Sequence, residues 1–325
     1  MKRATKLLLS IVFAVAFFSC ERPPTDQVNV VVPDPEKPEV VYLGLSRGVY
    51  KSTNSGKRWE AVNRGMEYAR AMSLAFGPKG SNLLYAGTNK GVYKSANRGE
   101  SWQPINQGIE YITVLALTLE PGQSGVIYAG TNKGLYKSTD DGKSWHSIQS
   151  GVERRRVNSF IRVRQGSDAL YAGSQVGPFK RTDGENWQGA AHGIEGYAAF
   201  VFAVDSKGTL YTGTDRGGFK STDGENWEML GKELENIQVM ALALNPKQGK
   251  IYAGTDHGLQ ISTDGGKTWK VATGTPLESI PILSLVVDPR NPEMVYAGTD
   301  RGFFRSTDGG VKWKESNKGL PTILD

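Results

Sequence analysis

Seven tryptophans recur along this sequence at nearly constant spacing, and this periodicity limits the possible folds more than any other feature. The intervals between successive tryptophans are 43, 43, 42, 40, 42 and 44 residues. A tyrosine precedes each tryptophan, and glycine follows each tyrosine two residues later. Two parallel series indicate one structural unit repeated along the chain. The two series are Trp59, Trp102, Trp145, Trp187, Trp227, Trp269 and Trp313, and Tyr42, Tyr85, Tyr128, Tyr171, Tyr211, Tyr252 and Tyr296.

Each unit has the pattern of four short β-strands. In the second unit, residues 72–76 and 83–87 form apolar runs that Gly77 and Pro78 separate. A third run at 92–95 follows a turn, and Trp102 opens a fourth strand after another turn. No segment keeps a helical period over ten residues, so helices are not indicated. The chain is therefore predicted to be all-β, a seven-bladed β-propeller of four-stranded antiparallel blades.

The predicted propeller occupies residues 28–325. A four-stranded sheet this small has little core of its own, so stacking against neighbouring blades must supply it. We expect each tryptophan to fill the gap between two blades, where burying ~200 Å² at ~25 cal/mol per Å² contributes several kcal/mol. The two chain ends are expected to meet, with residues 28–32 or the tail from Leu320 completing the sheet at the seam.

The N-terminus has the order of residues found in bacterial export signals. Lys2, Arg3 and Lys6 precede an apolar run at residues 7–18, which is too short to cross a bilayer as a helix. The following residues 17–20 resemble the lipobox of bacterial lipoproteins, although Phe17 stands where leucine is usual. That resemblance implies a lipid on Cys20, the only cysteine in the chain. The alternative is an ordinary signal peptide followed by an incidental cysteine.

The lipoprotein interpretation divides the chain into a signal peptide at residues 1–19, a solvated tether at 20–27 and the propeller. It predicts attachment to a membrane of the cell envelope on its extracytoplasmic side. Removing residues 1–19 leaves 36 basic against 33 acidic side chains, so the formal charge falls from +6 to +3. The basic character belongs largely to the signal, and we expect no nucleic-acid partner.

The turn before each tryptophan resembles the Asp-box, S-x-D-x-G-x-x-W. Residues 138–145, 262–269 and 306–313 match it fully, whereas the fourth and fifth turns are one residue shorter. An Asp or Asn oxygen accepts backbone N–H bonds in such a turn and glycine permits positive φ, so the motif is expected to stabilise a hairpin. The Asp-box positions are Asn54, Asn97, Asp140, Asp183, Asp223, Asp264 and Asp308.

Residues 28–325 as a whole resemble Asp-box propellers, which occur in sialidases, some endoglucanases, sorting receptors and bacterial repeat proteins. The unit YAGTxxGxxKSTDGGxxW at residues 296–313 is most similar to compact bacterial propellers, among them the photosystem II assembly/stability factor-like proteins. The resemblance implies the fold and leaves both binding and carbohydrate chemistry open.

A search for catalytic groups finds no constellation. The units vary only from 40 to 44 residues, which leaves no room for the long loops on which sialidases and glucanases carry their catalytic residues. His146, His192 and His257 lie in different units, so no shared metal site is expected. We therefore predict no catalytic residue, metal or cofactor; if the chain is an enzyme, it is a glycoside hydrolase.

The most promising binding surface is the top face, which we define as the turns between second and third strands (the upper turns) and the loops that join blades (the connecting loops). Basic side chains and tyrosines recur there and suit an anionic ligand, a glycan or an acidic protein segment. The alternative is that duplication copied surface cations passively, and glutamates in the same loops reduce the field. The candidate residues are Arg47, Lys90, Lys133, Arg154, Arg155, Arg156, Arg216, His257, Arg301, Tyr68, Tyr111 and Tyr197.

Three functions remain in competition. The favoured hypothesis is a monomeric, lipid-anchored scaffold that binds a partner protein without catalysis. The second is a carbohydrate-active or carbohydrate-binding protein of the sialidase or glucanase type. The third is a purely structural spacer on the cell surface.

Overall fold

The computed structural model describes residues 25–66, 68–148, 151–152, 154–164, 168–181 and 186–323. These residues form seven four-stranded antiparallel sheets, each built from four strands that are consecutive in the chain. Apart from the strands, the described ranges contain one short 3-10 helix at Lys232–Leu234. The predicted fold class is confirmed. The predicted signal peptide, the lipid site at Cys20 and the Asp-box residue Asp183 lie outside the described residues.

The strands fall into four sets by their position in the blade. The first strands are β1 (Val28–Pro33), β5 (Ala71–Phe76), β9 (Val114–Leu119), β13 (Val157–Val163), β17 (Ala199–Val204), β21 (Val239–Asn245) and β25 (Ile282–Val287). The second strands are β2 (Val41–Leu45), β6 (Leu84–Thr88), β10 (Ile127–Thr131), β14 (Ala169–Ser174), β18 (Leu210–Thr214), β22 (Lys250–Thr255) and β26 (Val295–Thr299). The third strands are β3 (Gly48–Ser52), β7 (Gly91–Ser95), β11 (Gly134–Ser138), β15 (Gly177–Arg181), β19 (Gly217–Ser221), β23 (Gly258–Ser262) and β27 (Gly302–Ser306). The fourth strands are β4 (Glu60–Ala61), β8 (Gln103–Pro104), β12 (His146–Ser147), β16 (Gln188–Gly189), β20 (Glu228–Met229), β24 (Lys270–Val271) and β28 (Lys314–Glu315).

The first strands surround a central axis, because each contacts the first strands of the two adjacent blades and β25 contacts β1. The hydrophobic core lies between blades rather than within them. One cluster, for example, packs Tyr42 and Val49 of the first blade against Leu74 and Trp102 of the second. Burial between sheets therefore stabilises the ring, as expected for blades that lack a core of their own.

The glycine of each Tyr-x-Gly pair marks a close approach between blades. A Cβ on Gly130 would lie 2.9 Å from the carbonyl oxygen of Val157 on the next first strand. A Cβ on Gly298 would lie equally close, at 2.9 Å, to the carbonyl oxygen of Val28. Glycine is needed because backbone and backbone meet at this point.

The tryptophans lie at the same interfaces. All seven indoles are buried, with at most 8% of their surface exposed. Trp102 donates its backbone N–H to the oxygen of Arg64 (2.8 Å) and its indole N–H to the oxygen of Val62 (2.7 Å), both in the preceding blade. The indoles of Trp145 and Trp227 likewise donate to the preceding blade. Those of Trp269 and Trp313 donate within their own turns, and Trp187 Nε1 has no partner among the described residues.

The seam between the seventh and first blades repeats these contacts. Trp59 donates its backbone N–H to Lys318 O (2.9 Å) and its indole N–H to Ser316 O (2.8 Å). Strand β1 completes the first blade, and the described part of the tail adds only a single bridge between Thr25 and Thr322. Thr25 belongs to the predicted solvated tether but is buried here.

Candidate binding site on the top face

The upper turns present their predicted side chains through one repeated hydrogen-bond pattern. In the second blade the Thr88 hydroxyl donates to Gly91 O (2.9 Å) and accepts from the backbone N–H of Lys90 (3.0 Å). This fixes the turn and leaves the Lys90 side chain in solvent. Lys133, Arg216, His257 and Arg301 are likewise exposed, whereas Arg47 is half-buried.

Hydrogen bonds join the upper turns to the connecting loops. Asn89 donates its backbone N–H to Arg70 O (3.1 Å), and the Arg70 N–H returns to the Asn89 side-chain oxygen (2.8 Å). Both sets of loops therefore lie on one face.

The seventh blade lacks this bond. Pro281 occupies the Arg70 position and has no N–H to donate. Asp300 occupies the Asn89 position, and its Oδ1 atom is buried without a partner among the described residues.

Three consecutive connecting loops carry an exposed side chain at a left-handed backbone position. Tyr68, Tyr111 and Arg154 have φ values of 58°, 58° and 57°. Tyr68 is 84% exposed and Tyr111 is 95% exposed. Left-handed backbone is unfavourable for residues with a Cβ, and fully exposed tyrosines gain little from the fold. Such residues are candidates for contact with a ligand.

The arginine run continues this row. Arg154, Arg155 and Arg156 are all exposed. The Arg156 Nε atom donates to Asn158 Oδ1 at 2.8 Å, while the guanidinium groups of Arg154 and Arg155 form no ion pair with a described residue. Because both side chains are exposed, an external anion can reach them.

Two side chains of the fifth blade pack against the Tyr197 ring. The Arg216 guanidinium lies over its ring at 4.9 Å, and the Phe219 ring packs edge-on at 5.8 Å. His192 lies at the outer contact with the next blade, where its carbonyl accepts the Trp227 backbone N–H at 3.0 Å. These two residues contribute to blade packing as well as to the surface.

A ring of bulge residues on the first strands was not predicted from the sequence. Each first strand has one residue without a cross-strand partner near its start. Asn29 and Asn158 occupy two of these positions. The Asn29 amide donates to Ala71 O and the Asn158 amide donates to Ala199 O, both at 3.0 Å. Each acceptor is the first residue of the next blade's first strand. The available signal was an asparagine inside an otherwise apolar run. The remaining bulge residues are Met72, Leu115, Phe200, Met240 and Leu283.

Acidic residues of the connecting loops bond to their own backbone. Glu110 accepts the Gly108 N–H at 2.9 Å, and Glu195 accepts the Gly193 N–H at 3.0 Å. Backbone N–H bonds lower the pKa of Glu195 below its usual value. These two carboxylates are thus hydrogen-bonded within their own loops.

The Asp-boxes lie between third and fourth strands, away from the top face. Asp140 accepts the Ser144 hydroxyl (2.6 Å) and backbone N–H (2.9 Å), and the Ser138 hydroxyl donates to it at 2.8 Å. These bonds, above all the one from the Ser144 hydroxyl, lower the Asp140 pKa to about 2. The carboxylate holds its own turn together.

The described part of the chain has neither a cluster of metal ligands nor a membrane-spanning helix. No group of three His, Cys, Asp or Glu side chains in it is placed to hold a metal ion. No helix in it has the length and apolarity needed to cross a bilayer.

Comparison with known proteins agrees with the repeat and the fold. The model of the BNR/Asp-box repeat family matches residues 260–271. No curated protein matches the chain in sequence. A GH74 enzyme of Niastella koreensis is similar in structure, with a TM-score of 0.73 and 19% identity over 91% of this chain and 55% of that chain. The chain thus spans about half the length of that enzyme.

Two further structures share the fold at low identity. YCF48 bound to a D1 peptide has a TM-score of 0.63 and 18% identity over 87% of this chain and 94% of that chain. The extracellular domain of a hybrid two-component system, BT4673 of B. thetaiotaomicron, has a TM-score of 0.70 and 18% identity, covering 87% of this chain and 38% of that chain. The protein is a seven-bladed β-propeller that carries BNR/Asp-box repeats.

Proposed function

We propose that this chain is a monomeric, lipid-anchored propeller outside the cytoplasm that binds an acidic segment of a partner protein on its top face, without catalysing a reaction. The carrying observation is the row formed by Tyr68, Tyr111 and Arg154–Arg156. Exposed tyrosines supply apolar contact area and exposed guanidinium groups supply charge, and tyrosine and arginine are enriched where proteins bind each other.

Two of the similar structures agree with separate parts of this proposal. YCF48 is nearly the same size as this chain and was solved with a bound peptide. The BT4673 propeller is an extracellular domain, which agrees with the export signal read from residues 1–19. Both likenesses concern fold, so the assignment of a partner rests on the surface itself.

The first test is partner capture from the native envelope. A photo-crosslinking residue in place of Tyr111 is used to recover partners for mass spectrometry, with and without Arg154→Glu, Arg155→Glu and Arg156→Glu. We expect recovery to fall by about tenfold or more, since like charges repel at the contact. The control places the same charge change on exposed loops between first and second strands, as Lys79→Glu, Lys207→Glu and Lys247→Glu.

Unchanged recovery in the arginine variant, or an equal loss in the control, contradicts the proposed site. Lipid attachment is tested separately. Radiolabelled palmitate should enter the protein and be lost in Cys20→Ser, and an unlabelled wild-type protein contradicts the anchor.

The second candidate is carbohydrate binding or cleavage. Its specific support is the pair of exposed tyrosines, because sugar rings stack on aromatic faces. Binding of β-glucan or sialoside oligosaccharides, lost in Tyr68→Ala and Tyr111→Ala, would favour it. Hydrolysis of any of these glycosides would show that the protein is an enzyme.

A further inference from the structure

A second charged surface lies at the seam between the seventh and first blades, on the other side of the ring from Arg154–Arg156, and it includes Arg301 of the top face. A groove of about 1390 Å³ is lined by the third and fourth strands of the seventh blade, by the loop that precedes this blade and by residues of the seam. Strand β28 forms one side of it, and the Asp-box turn of the first blade reaches it from the other. Its charged lining residues are Lys57, Arg301, Arg305, Lys314, Glu315 and Lys318.

The groove carries five cations against one carboxylate, so its formal charge is positive. None of the five forms an ion pair with a described carboxylate. Glu315 accepts a hydrogen bond from the Asn317 amide at 2.8 Å. The Arg305 Nε atom is buried and has no partner within the described ranges. An excess of cations that line one groove favours an anionic ligand.

The chain enters the propeller at the same place. Thr25 lines the groove and pairs with Thr322, and the Asp26 backbone N–H donates to Pro321 O at 3.0 Å. Cys20 precedes Thr25 by five residues, which span at most about 18 Å even when fully extended. A lipid on Cys20 would therefore hold the groove close to the headgroups of its membrane.

We propose that this groove docks the propeller on anionic phospholipid headgroups. The orientation of the propeller relative to the bilayer rests on the proposed lipid attachment at Cys20. The binding of headgroups in the groove does not depend on that attachment. The seam then faces the bilayer. The fourth blade, which carries Arg154–Arg156 at its start, is opposite the seam, with three blades on either side. Docking would thus turn Arg154–Arg156, the charged end of the proposed partner site, away from the membrane.

The test uses unacylated protein that begins at residue 20 with Cys20→Ser, so that the lipid cannot contribute. Co-sedimentation is measured with vesicles of phosphatidylcholine alone and of phosphatidylcholine mixed with phosphatidylglycerol, at low and high salt. We expect salt-sensitive binding to the mixed vesicles only. The variant Lys57→Glu, Arg301→Glu, Lys318→Glu should reduce the partition coefficient by about tenfold or more.

The repeat supplies a matched control. Lys267, Arg216 and Lys232 occupy the same three repeat positions between the fifth and sixth blades. Their replacement by Glu makes the same charge change and should alter binding by less than about twofold, since those positions lie outside the groove. Unfolding midpoints of both variants show whether each is folded.

Absence of binding to the mixed vesicles, or an equal loss in both variants, overturns the proposal. Soluble glycerol phosphate and inorganic phosphate serve as competitors. Full displacement by either at concentrations matched to the headgroups would identify a site for free anions and would also overturn it. Palmitate labelling and partner capture are read independently, so failure of the groove is distinguishable from failure of the proposed function.

Discussion

Replacing Trp59 tests whether the ring is held at its seam as it is elsewhere. The Trp59 side chain is 2% exposed, and its ring meets Phe303 edge-on with centroids 4.9 Å apart. Burying ~200 Å² of indole at ~25 cal/mol per Å² contributes about 5 kcal/mol. Trp59→Ala retains a small part of this, so we expect the free energy of unfolding to fall by about 3–5 kcal/mol.

Trp59→Phe separates packing from hydrogen bonding. Phenylalanine keeps most of the apolar contact but leaves Ser316 O without its indole donor, which should cost about 1–3 kcal/mol. Denaturant unfolding gives both values. Hydrogen exchange read by mass spectrometry locates the damage, which should concentrate in residues 25–33 and 314–323.

Trp145 provides the control within the ring, since its indole donates to Ile105 O at 2.8 Å across the interface between the second and third blades. Trp145→Ala should cost a similar free energy but expose different segments. A Trp59→Ala protein that loses less than about 1 kcal/mol, or that exchanges faster throughout the ring rather than at the seam, would refute the reasoning.

Three further predictions follow from the repeat contacts. Gly298→Ala and Gly130→Ala should each lower the free energy of unfolding by about 1–3 kcal/mol, because the added Cβ meets a carbonyl oxygen; unequal losses in denaturant unfolding would show that the seam differs from the other interfaces. Burial raises the pKa of Tyr252 and Tyr296 from 10.0 to about 12. Between pH 10 and about 12 the folded protein keeps these phenol protons, whereas the unfolded chain loses them. The stabilisation is therefore complete below pH 10, and across this window the free energy of unfolding falls by about 1.4 kcal/mol per pH unit for each tyrosine. Tyr252→Phe should flatten a profile of the free energy of unfolding measured over the same window. Asn106→Ala removes the acceptor of the Val92 N–H (2.6 Å) and should cost about 1–3 kcal/mol, with faster amide exchange confined to the adjacent upper turn.

The sequence predicted the architecture because the residues that define it are local and periodic. Tryptophan and the Tyr-x-Gly glycine recur since every interface repeats one contact, which makes both visible without coordinates. Strand bounds were close: the runs predicted at 72–76 and 92–95 correspond to Ala71–Phe76 and Gly91–Ser95. The predicted upper-turn cations also followed from periodicity.

Features that depend on contacts between distant residues were not predicted. Nothing in the spacing of Tyr68 and Tyr111 shows a left-handed backbone, and the bulges depend on cross-strand register. The basic groove joins Lys57 to residues of the seventh blade, which are adjacent only after the ring closes. Likewise, the sequence places Glu110 and Glu195 in connecting loops but does not show that their carboxylates accept N–H bonds from those loops.

Closure of the ring has a consequence for the chain's connectivity. The seam has the same glycine approach and the same tryptophan bonds as internal interfaces such as that between the second and third blades, so the described ends of the chain lie at a junction of the internal type. Joining residues 323 and 25 by a short linker and opening a connecting loop elsewhere should give a circular permutant that still folds. In such a permutant the anchor could be moved to any blade, so that the direction in which the ring faces its membrane becomes an adjustable property.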